Sequence, residues 1–359
     1  MHNHTVLPFG PQHPVLPEPI HLDLVLEDEK VIEAIPSIGF IHRGLEKLVE
    51  KKDFLEMVYV ADRICGICSF IHGMTYCMAV EENMGIEVPP RADYLRLIWS
   101  ELSRIHSHLL WLGLLADSFG FESLFMHAWR LRETILDIFE ETTGGRVIMG
   151  AAKIGGVRKD IDNATLRAIT LKLDALSAEI TEMTGVFIKD SSVRHRLAGV
   201  GILPKNDAYS LGAVGPTLRA SGVDSDMRML GYGAYKHIAF APVVETAGDC
   251  YARCAVRVRE LFRSIDLIKQ AAASIPGGAI DTKVTGAPNG EYLVRTEQPR
   301  GQVIYYIKAD GSRFLKRLRI RTPTFANIPP LLKILKGCQL ADVPVLILSI
   351  DPCISCTER

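Results

Sequence analysis

The sequence predicts an α+β fold that is predominantly α: a long-helix bundle core with an N-terminal β-hairpin and a smaller β subdomain near the C-terminus. Three observations predict it. Apolar residues recur at helical spacing through Leu95, Ile98, Trp99, Leu102, Ile105, Leu109 and Leu112, a stripe that has to face a core. Period-two alternation runs through His21-Leu22-Asp23-Leu24-Val25-Leu26 and Val31-Ile32-Glu33-Ala34-Ile35 on either side of the charged turn Glu27-Asp28-Glu29-Lys30, the pattern of a hairpin. From 279 to 324 the helical pattern gives way to Gly, Pro and β-branched residues, with an alternating run at 302–308, so a small sheet or irregular β subdomain belongs there.

Taken in order, the hairpin covers 21–38. A helix is expected over 62–83, carrying Cys65 and Cys68 at or near its start, where the positive end of the dipole favours thiolate over thiol. The next helix, 91–118, follows Pro89-Pro90, and further long helices are expected at 122–142, 163–188 and 242–273. After the β segment come a short helix near 329–335 and an apolar run, 343–350, expected as a strand that delivers Asp351-Pro352-Cys353 to the interior. No repeat, low-complexity tract or linker interrupts residues 1–359, so a single domain is expected.

Composition narrows the function classes. With 48% hydrophobic residues the chain can bury a substantial core without disulfides. A formal net charge of −1 and no basic face leave no electrostatic reason to expect nucleic acid. The eight cysteines lack the dense spacing of a secreted scaffold, and the N-terminus shows no signal-peptide pattern, so a reducing, cytoplasmic setting is expected. The most apolar helical stretch, 109–121, is broken by Asp117 and falls short of the roughly 18–20 residues that span a bilayer. Any membrane contact is therefore expected to be peripheral.

Two Cys-x-x-Cys pairs, Cys65/Cys68 and Cys353/Cys356, stand near opposite ends of the chain. Two thiolates three positions apart can face one soft cation, and two such pairs supply four sulfurs, which suits Zn, Fe or Ni better than Mg or Ca. A zinc ribbon keeps its pairs close together because it staples a small domain without its own core. Here nearly the whole chain lies between them, an arrangement suited to chemistry in the middle of a large fold, with a tetrahedral zinc site as the alternative.

Arg63-Ile64-Cys65-Gly66-Ile67-Cys68 followed by His72, together with Asp351-Pro352-Cys353-Ile354-Ser355-Cys356, resembles the two signature motifs of NiFe hydrogenase large subunits. Phe9-Gly10-Pro11-Gln12-His13-Pro14, Ile41-His42-Arg43-Gly44-Leu45-Glu46-Lys47, Ile154-Gly155-Gly156-Val157-Arg158 and Gly215-Pro216-Thr217-Leu218-Arg219-Ala220-Ser221-Gly222 resemble the 49 kDa subunit of respiratory complex I, which lacks the four cysteines. Carrying both sets is similar to the membrane-bound, energy-converting hydrogenases of group 4, and the length is like the Ech type. The likeness covers nearly the whole chain.

The resemblance implies a NiFe(CN)2CO centre, with Cys65, Cys68, Cys353 and Cys356 holding nickel and Cys68 and Cys356 bridging to an iron that carries cyanide and carbonyl. It implies that Glu18 passes protons to and from a terminal cysteine, a role a buried carboxylate with a raised pKa suits; a solvated Glu in a Pro-rich turn is the alternative. Arg300, in Pro299-Arg300-Gly301, is expected to hang over the metals and pair with Asp351. The alternatives are a turn with a surface Arg and an Asx turn. His72 is expected to donate to the Cys68 sulfur, a core histidine satisfied elsewhere being the other reading. Glu46 resembles a glutamate that holds magnesium against a terminal His in many relatives; with Arg359 at that place, an ion pair is expected instead of the metal. Many relatives carry a C-terminal extension removed after this position, so the chain is expected to be either the mature form or one encoded without it. Cys77, Cys250, Cys254 and Cys338 are read as core.

By resemblance, the chain would be the catalytic subunit for reversible reduction of protons to dihydrogen. Without an iron–sulfur cluster of its own, it would take electrons from reduced ferredoxin through a small subunit with a 4Fe-4S cluster and a further Fe-S subunit. Integral membrane subunits would translocate ions, this chain lying peripherally on the cytoplasmic side and exposing apolar patches toward its partners. A quinone-reducing, complex I-like subunit and a noncatalytic zinc-binding scaffold are the rival readings.

Overall fold

The computed structural model describes residues 4–359. Three antiparallel strands open it: β1 (Thr5–Phe9), β2 (His21–Glu27) and β3 (Lys30–Ser37). The expected hairpin is β2–β3. The first strand was not anticipated; it pairs Thr5 with Leu26 through Phe9 with Leu22, although its exposed apolar residues carry no alternation. One face of β2 buries Leu22, Leu24 and Leu26, as the period of two requires.

The helical body follows. α1 (Met57–Asp62) stops before the first cysteine pair, and α2 (Ser69–Met84) starts after it, with Cys68 as its N-cap residue and Gly85 at φ +64° closing its C-terminus. The cysteines thus occupy the turn between two helices, where left-handed Gly85 ends the second. α3 (Pro90–Asp117), with Pro90 preset for the first helical position, runs through the centre and packs against α4 (Glu122–Thr143) and α9 (Cys250–Ser274). Beside α9 lies α5 (Asn163–Lys189), capped by the Asp162 side chain, which accepts from Thr165 N at 2.7 Å. The short strands β4 (Ala152–Lys153) and β5 (Gly156–Val157) lead from α4 to α5, and the short helices α6 (Ser191–Leu197), α7 (Lys205–Ser210) and α8 (Gly215–Arg219) lie in the chain between α5 and α9.

The helix expected from 242 begins instead at Cys250. The Asp249 carboxylate caps it by accepting from Ala252 N at 2.7 Å, and Gly248 at φ +68° breaks the chain just before. The β subdomain is an antiparallel sheet of β6 (Asn289–Gln298), β7 (Gly301–Asp310) and β8 (Arg317–Arg321). α10 (Pro323–Leu335) starts earlier than expected because Pro323 opens it, and it passes through Pro329 and Pro330. The run expected as a strand is α11 (Val343–Ser349). Its side chains are buried all round, so no periodicity distinguishes helix from strand, and Pro344 at the helix start decides it. Last comes α12 (Ile354–Glu358).

The core is not wholly apolar. On α3, Glu101, Arg104 and His108 are fully buried: Glu101 is ion-paired with Arg228, whose Nη1 lies 3.1 Å away, and His108 Nε2 is hydrogen-bonded to Glu260 of α9 at 2.9 Å. Arg104 also donates to the carbonyls of Gln298 (3.0 Å) and Glu297 (3.1 Å), fixing the β6–β7 turn that carries Arg300. The same turn depends on two glycines. A Cβ on Gly301 (φ +128°) would lie 2.7 Å from Gly215 N, and one on Gly215 (φ +64°) would lie 2.4 Å from Arg300 O, so only glycine lets these backbones touch. Among the described residues no helix is long and apolar enough to cross a membrane.

Candidate metal centre

Three turns and one loop meet at one buried point: the α1–α2 turn, the α11–α12 turn, the β6–β7 turn and the loop between β1 and β2. The first two bring the four sulfurs together. Cys68 Sγ lies 3.6 Å from Cys356 Sγ, and Cys353 Sγ lies 3.4 Å from Cys65 Sγ. One ligand atom from each of Cys65, Cys68 and Cys356 falls within 4.8 Å of the others. All four are buried, as are Cys77, Cys250 and Cys254, which stand apart in the core, while Cys338 is half-buried. Cys65 is held well below the usual thiol range because Cys353, then Cys356 and Cys68, hydrogen-bond to its sulfur. Burial pushes Cys356 well up. A soft cation binding sulfurs crowded in this way would displace their protons.

Glu18 reaches the cluster from the β1–β2 loop. Its Oε1 accepts from Cys353 Sγ at 3.6 Å, and its Oε2 accepts from Ser355 N at 2.8 Å and from Ile354 N. Burial, reinforced by the charge on Cys65, raises its pKa. Arg300 and Asp351 are both buried and pair on the other side: Arg300 Nη2 lies 2.9 Å from Asp351 Oδ1, and Arg300 Nε donates to the Asp351 carbonyl at 2.8 Å. Asp351 holds a left-handed backbone, φ +55°, the bend that turns the chain from α11 into the cysteine pair. Arg300 Nη1 and Asp351 Oδ2 are buried without a hydrogen-bond partner.

His72 departs from expectation. Its Nε2 sits 3.3 Å from the sulfur of Cys356, not Cys68, and its Nδ1 sits 2.7 Å from the Tyr305 hydroxyl. One turn up the helix, its backbone N–H already takes the Cys68 carbonyl at 3.2 Å, while the side chain leans across to α12. Burial lowers its pKa to about 4, which keeps the ring neutral.

Two participants escaped the sequence reading. Tyr305 occupies an inward position of the alternating run in β7, a signal for burial but not for a partner. Arg43 stitches both cysteine turns, donating to the carbonyls of Arg63 (3.1 Å), Ile64 (2.8 Å) and Ser355 (2.8 Å). It lies in the His42-Arg43-Gly44 stretch singled out above without a role. Close by, Arg359 Nε donates to Glu46 Oε1 at 2.9 Å.

The residues present fit a NiFe(CN)2CO group. Four buried sulfurs match its ligand set, and the unpartnered Arg300 Nη1, near enough to respond to charge on Cys353, Cys65 and Cys68, is a donor suited to a cyanide nitrogen. Four sulfurs alone would also suit zinc; the orphaned donor and the carboxylate on Cys353 serve no purpose there.

A family model described as nickel-dependent hydrogenase matches residues 43–116, and one described as the 49 kDa subunit of respiratory-chain NADH dehydrogenase matches 118–285 and 281–359. Among curated proteins, the chain is 39% identical to membrane-bound hydrogenase subunit alpha of Pyrococcus furiosus, covering 98% of this chain and 87% of that one. It is 37% identical to the carbon monoxide-induced hydrogenase of Rhodospirillum rubrum, covering 98% and 99%. It is also 35% identical to NADH-quinone oxidoreductase subunit 4 of Thermus thermophilus, covering 98% and 93%. Among solved structures, a chain of the membrane-bound sulfane sulfur reductase, an archaeal respiratory membrane complex, superimposes with a TM-score of 0.95 at 31% identity, each chain covered to 99%. On these likenesses, over a shared fold, the chain belongs to the oxidoreductase family that joins the large subunits of nickel-dependent hydrogenases to the 49 kDa subunit of respiratory-chain NADH dehydrogenase.

Proposed function

We propose that this chain is the catalytic subunit of an energy-converting NiFe hydrogenase, interconverting protons and dihydrogen. The observation that carries the reading is the convergence of all four cysteine sulfurs with the Glu18 carboxylate on one of them. Cys65, Cys68, Cys353 and Cys356 would hold the nickel and iron of the group, and Arg300 Nη1, buried without a partner, would donate to it. When bound, the group supplies a redox-active Lewis acid at which dihydrogen is split or formed.

The chain's own residues do the rest. Glu18 takes a proton from the Cys353 sulfur or returns one; burial raises its pKa, which makes the carboxyl a better proton acceptor than an exposed one. Asp351 orients Arg300 through two contacts, leaving one guanidinium nitrogen free for the group above the sulfurs. The near-complete burial of the sulfurs excludes water, which strengthens each of these interactions.

Electrons come from reduced ferredoxin through a further Fe-S subunit and a small subunit carrying a 4Fe-4S cluster, and membrane subunits on the cytoplasmic face translocate the ion. Exposed apolar residues on and beside the N-terminal sheet, among them Val6, Ile35, Ile38 and Phe40, support docking of partners there. Relatives named as NADH-quinone oxidoreductase subunits support a second reading, a quinone-reducing subunit, in which the sulfurs have no part.

Metal analysis of the purified complex, with infrared spectra in the region of metal-bound carbonyl and cyanide, tests both. About one nickel per chain with those bands supports the hydrogenase; bound quinone without nickel favours the second reading, and zinc the scaffold.

A further inference from the structure

We propose that Tyr305 is a positioning residue: its hydroxyl locks the His72 imidazole in the tautomer whose Nε2–H donates to the Cys356 sulfur. Through that one bond it sets how much charge Cys356 gives to a bound metal. The metal half of this proposal rests on the hydrogenase reading; the tautomer is a property of the chain alone.

Tyr305 is fully buried in β7, with Val303 and Ile307 facing the same way along the strand. Its hydroxyl lies 2.7 Å from His72 Nδ1, and His72 Nε2 lies 3.3 Å from Cys356 Sγ. A neutral imidazole has a single N–H, so one ring nitrogen donates and the other accepts. With the proton on Nδ1, His72 would donate to the phenol oxygen. The phenol O–H would then be buried without an acceptor, with or without a metal, and in the loaded protein the Nε2 lone pair would also face the lone pairs of a metal-bound sulfur. With the proton on Nε2, Tyr305 donates to Nδ1 and His72 donates to sulfur, and every group is satisfied. The phenol stays protonated, since burial and the neighbouring Cys356 push it well above its usual range.

The frame around this chain of bonds is rigid. α2 carries His72 and is bound to the sheet by the Thr75 hydroxyl, 2.7 Å from that of Thr296 in β6. At the far end, Thr322 donates to the Cys356 carbonyl at 3.2 Å. An N–H donor on a thiolate withdraws charge from it, and a partner that fixes the histidine tautomer tunes the ligand. Neither the cysteine motif nor the position of His72 in the sequence specifies Tyr305.

Two readouts test it. On the full chain without metal, labelled with 15N-histidine and with the His72 signal assigned by its loss in His72→Gln, the wild type should show Nε2 protonated. Tyr305→Phe, which keeps the ring, should lose this single tautomer. A wild type protonated at Nδ1, or a Tyr305→Phe chain that keeps the Nε2–H form unmixed, would overturn the proposal. Should Tyr305→Phe fail to fold, the wild-type tautomer alone still decides. In the metal-loaded complex, Tyr305→Phe should move the carbonyl stretch to lower wavenumber as Cys356 gives more charge; an unmoved band overturns the tuning. A wild-type complex with no such bands would remove the hydrogenase reading and, with it, the tuning, while the tautomer measurement still decides the role of Tyr305.

Discussion

Arg359 donates from Nε to Glu46 Oε1 at 2.9 Å, and Glu46 uses the rest of its carboxylate on Ile320 N and Arg319 Nη1, each also at 2.9 Å. Oε1 accepts twice and Oε2 faces the Arg319 guanidinium, so the carboxylate is already neutralised by two cationic side chains where a metal ion would have to compete. The pairing also ties the segment holding Cys356 to the loop of Arg43.

Removing magnesium should therefore change nothing. EDTA treatment of the wild-type chain is expected to leave its melting temperature unmoved, whereas Glu46→Gln should cost about 1.5–3 kcal/mol in urea denaturation. A melting point that falls with EDTA and recovers with magnesium would contradict this.

Glu18→Gln keeps an acceptor oxygen for the backbone amides but cannot exchange a proton with Cys353. Turnover should fall by about 10²–10⁴-fold, the usual contribution of a positioned acid–base group, with metal content unchanged. Glu18→Asp should keep part of the rate. A fully active Glu18→Gln enzyme takes this residue out of the proton path.

Arg300 and Asp351 form a buried ion pair, and removing one partner of such a pair leaves the other charge uncompensated. Arg300→Ala should destabilise the chain by about 3–5 kcal/mol. The double variant with Asp351→Asn should lose less than the sum of the two single changes, because the stranded carboxylate is gone. Additive losses in denaturant titrations would mean that the two groups do not act as a pair.

Asp62, at the end of α1, is buried with both carboxylate oxygens unpartnered, and burial raises its pKa to about 7 from the usual 3.8. The folded state therefore binds this proton more tightly than the unfolded one, so the group's favourable contribution is complete below about pH 4 and is lost as pH rises through 7. Stability should decline by on the order of 3 kcal/mol across that window, and Asp62→Asn should flatten the decline and stabilise the chain at higher pH. Equal slopes for variant and wild type in denaturation between pH 4 and 8 would refute it.

Much of the fold was legible. The α3 stripe, the α4 and α5 helices and the β2–β3 hairpin have clean periodicities, and the structure places them within a residue or two of expectation. Legibility failed where burial is complete or local signals compete. Val343–Ser349 reads as a strand because its first six positions carry no polar side chain to reveal a helical period. The β1 strand depends on its pairing with β2 rather than on a pattern of its own. Pro242 looks like a helix start, yet the Asp249 cap sets it eight residues later.

The site divides in the same way. Cysteine spacing announced four sulfurs able to converge, while Glu18 was marked by the family resemblance and not by the Pro-rich turn around it. The side chains that orient them, Tyr305 on β7 and Arg43 after β3, are fixed only by tertiary contact. His72 shows the limit: its helical position pointed to Cys68 one turn away, and the tertiary fold put the Cys356 sulfur of α12 within reach of its Nε2.

The two sulfur pairs that meet in the core are 288 positions apart in the chain. At a synthesis rate of roughly 5–20 residues per second, Cys353 follows Cys65 by about 15–60 s. During that interval the emerging polypeptide presents two thiols and no complete set, so no cation can be gripped by four. The four sulfurs can meet only once Cys353 and Cys356 have been made, so a cation that needs all four could be held only then.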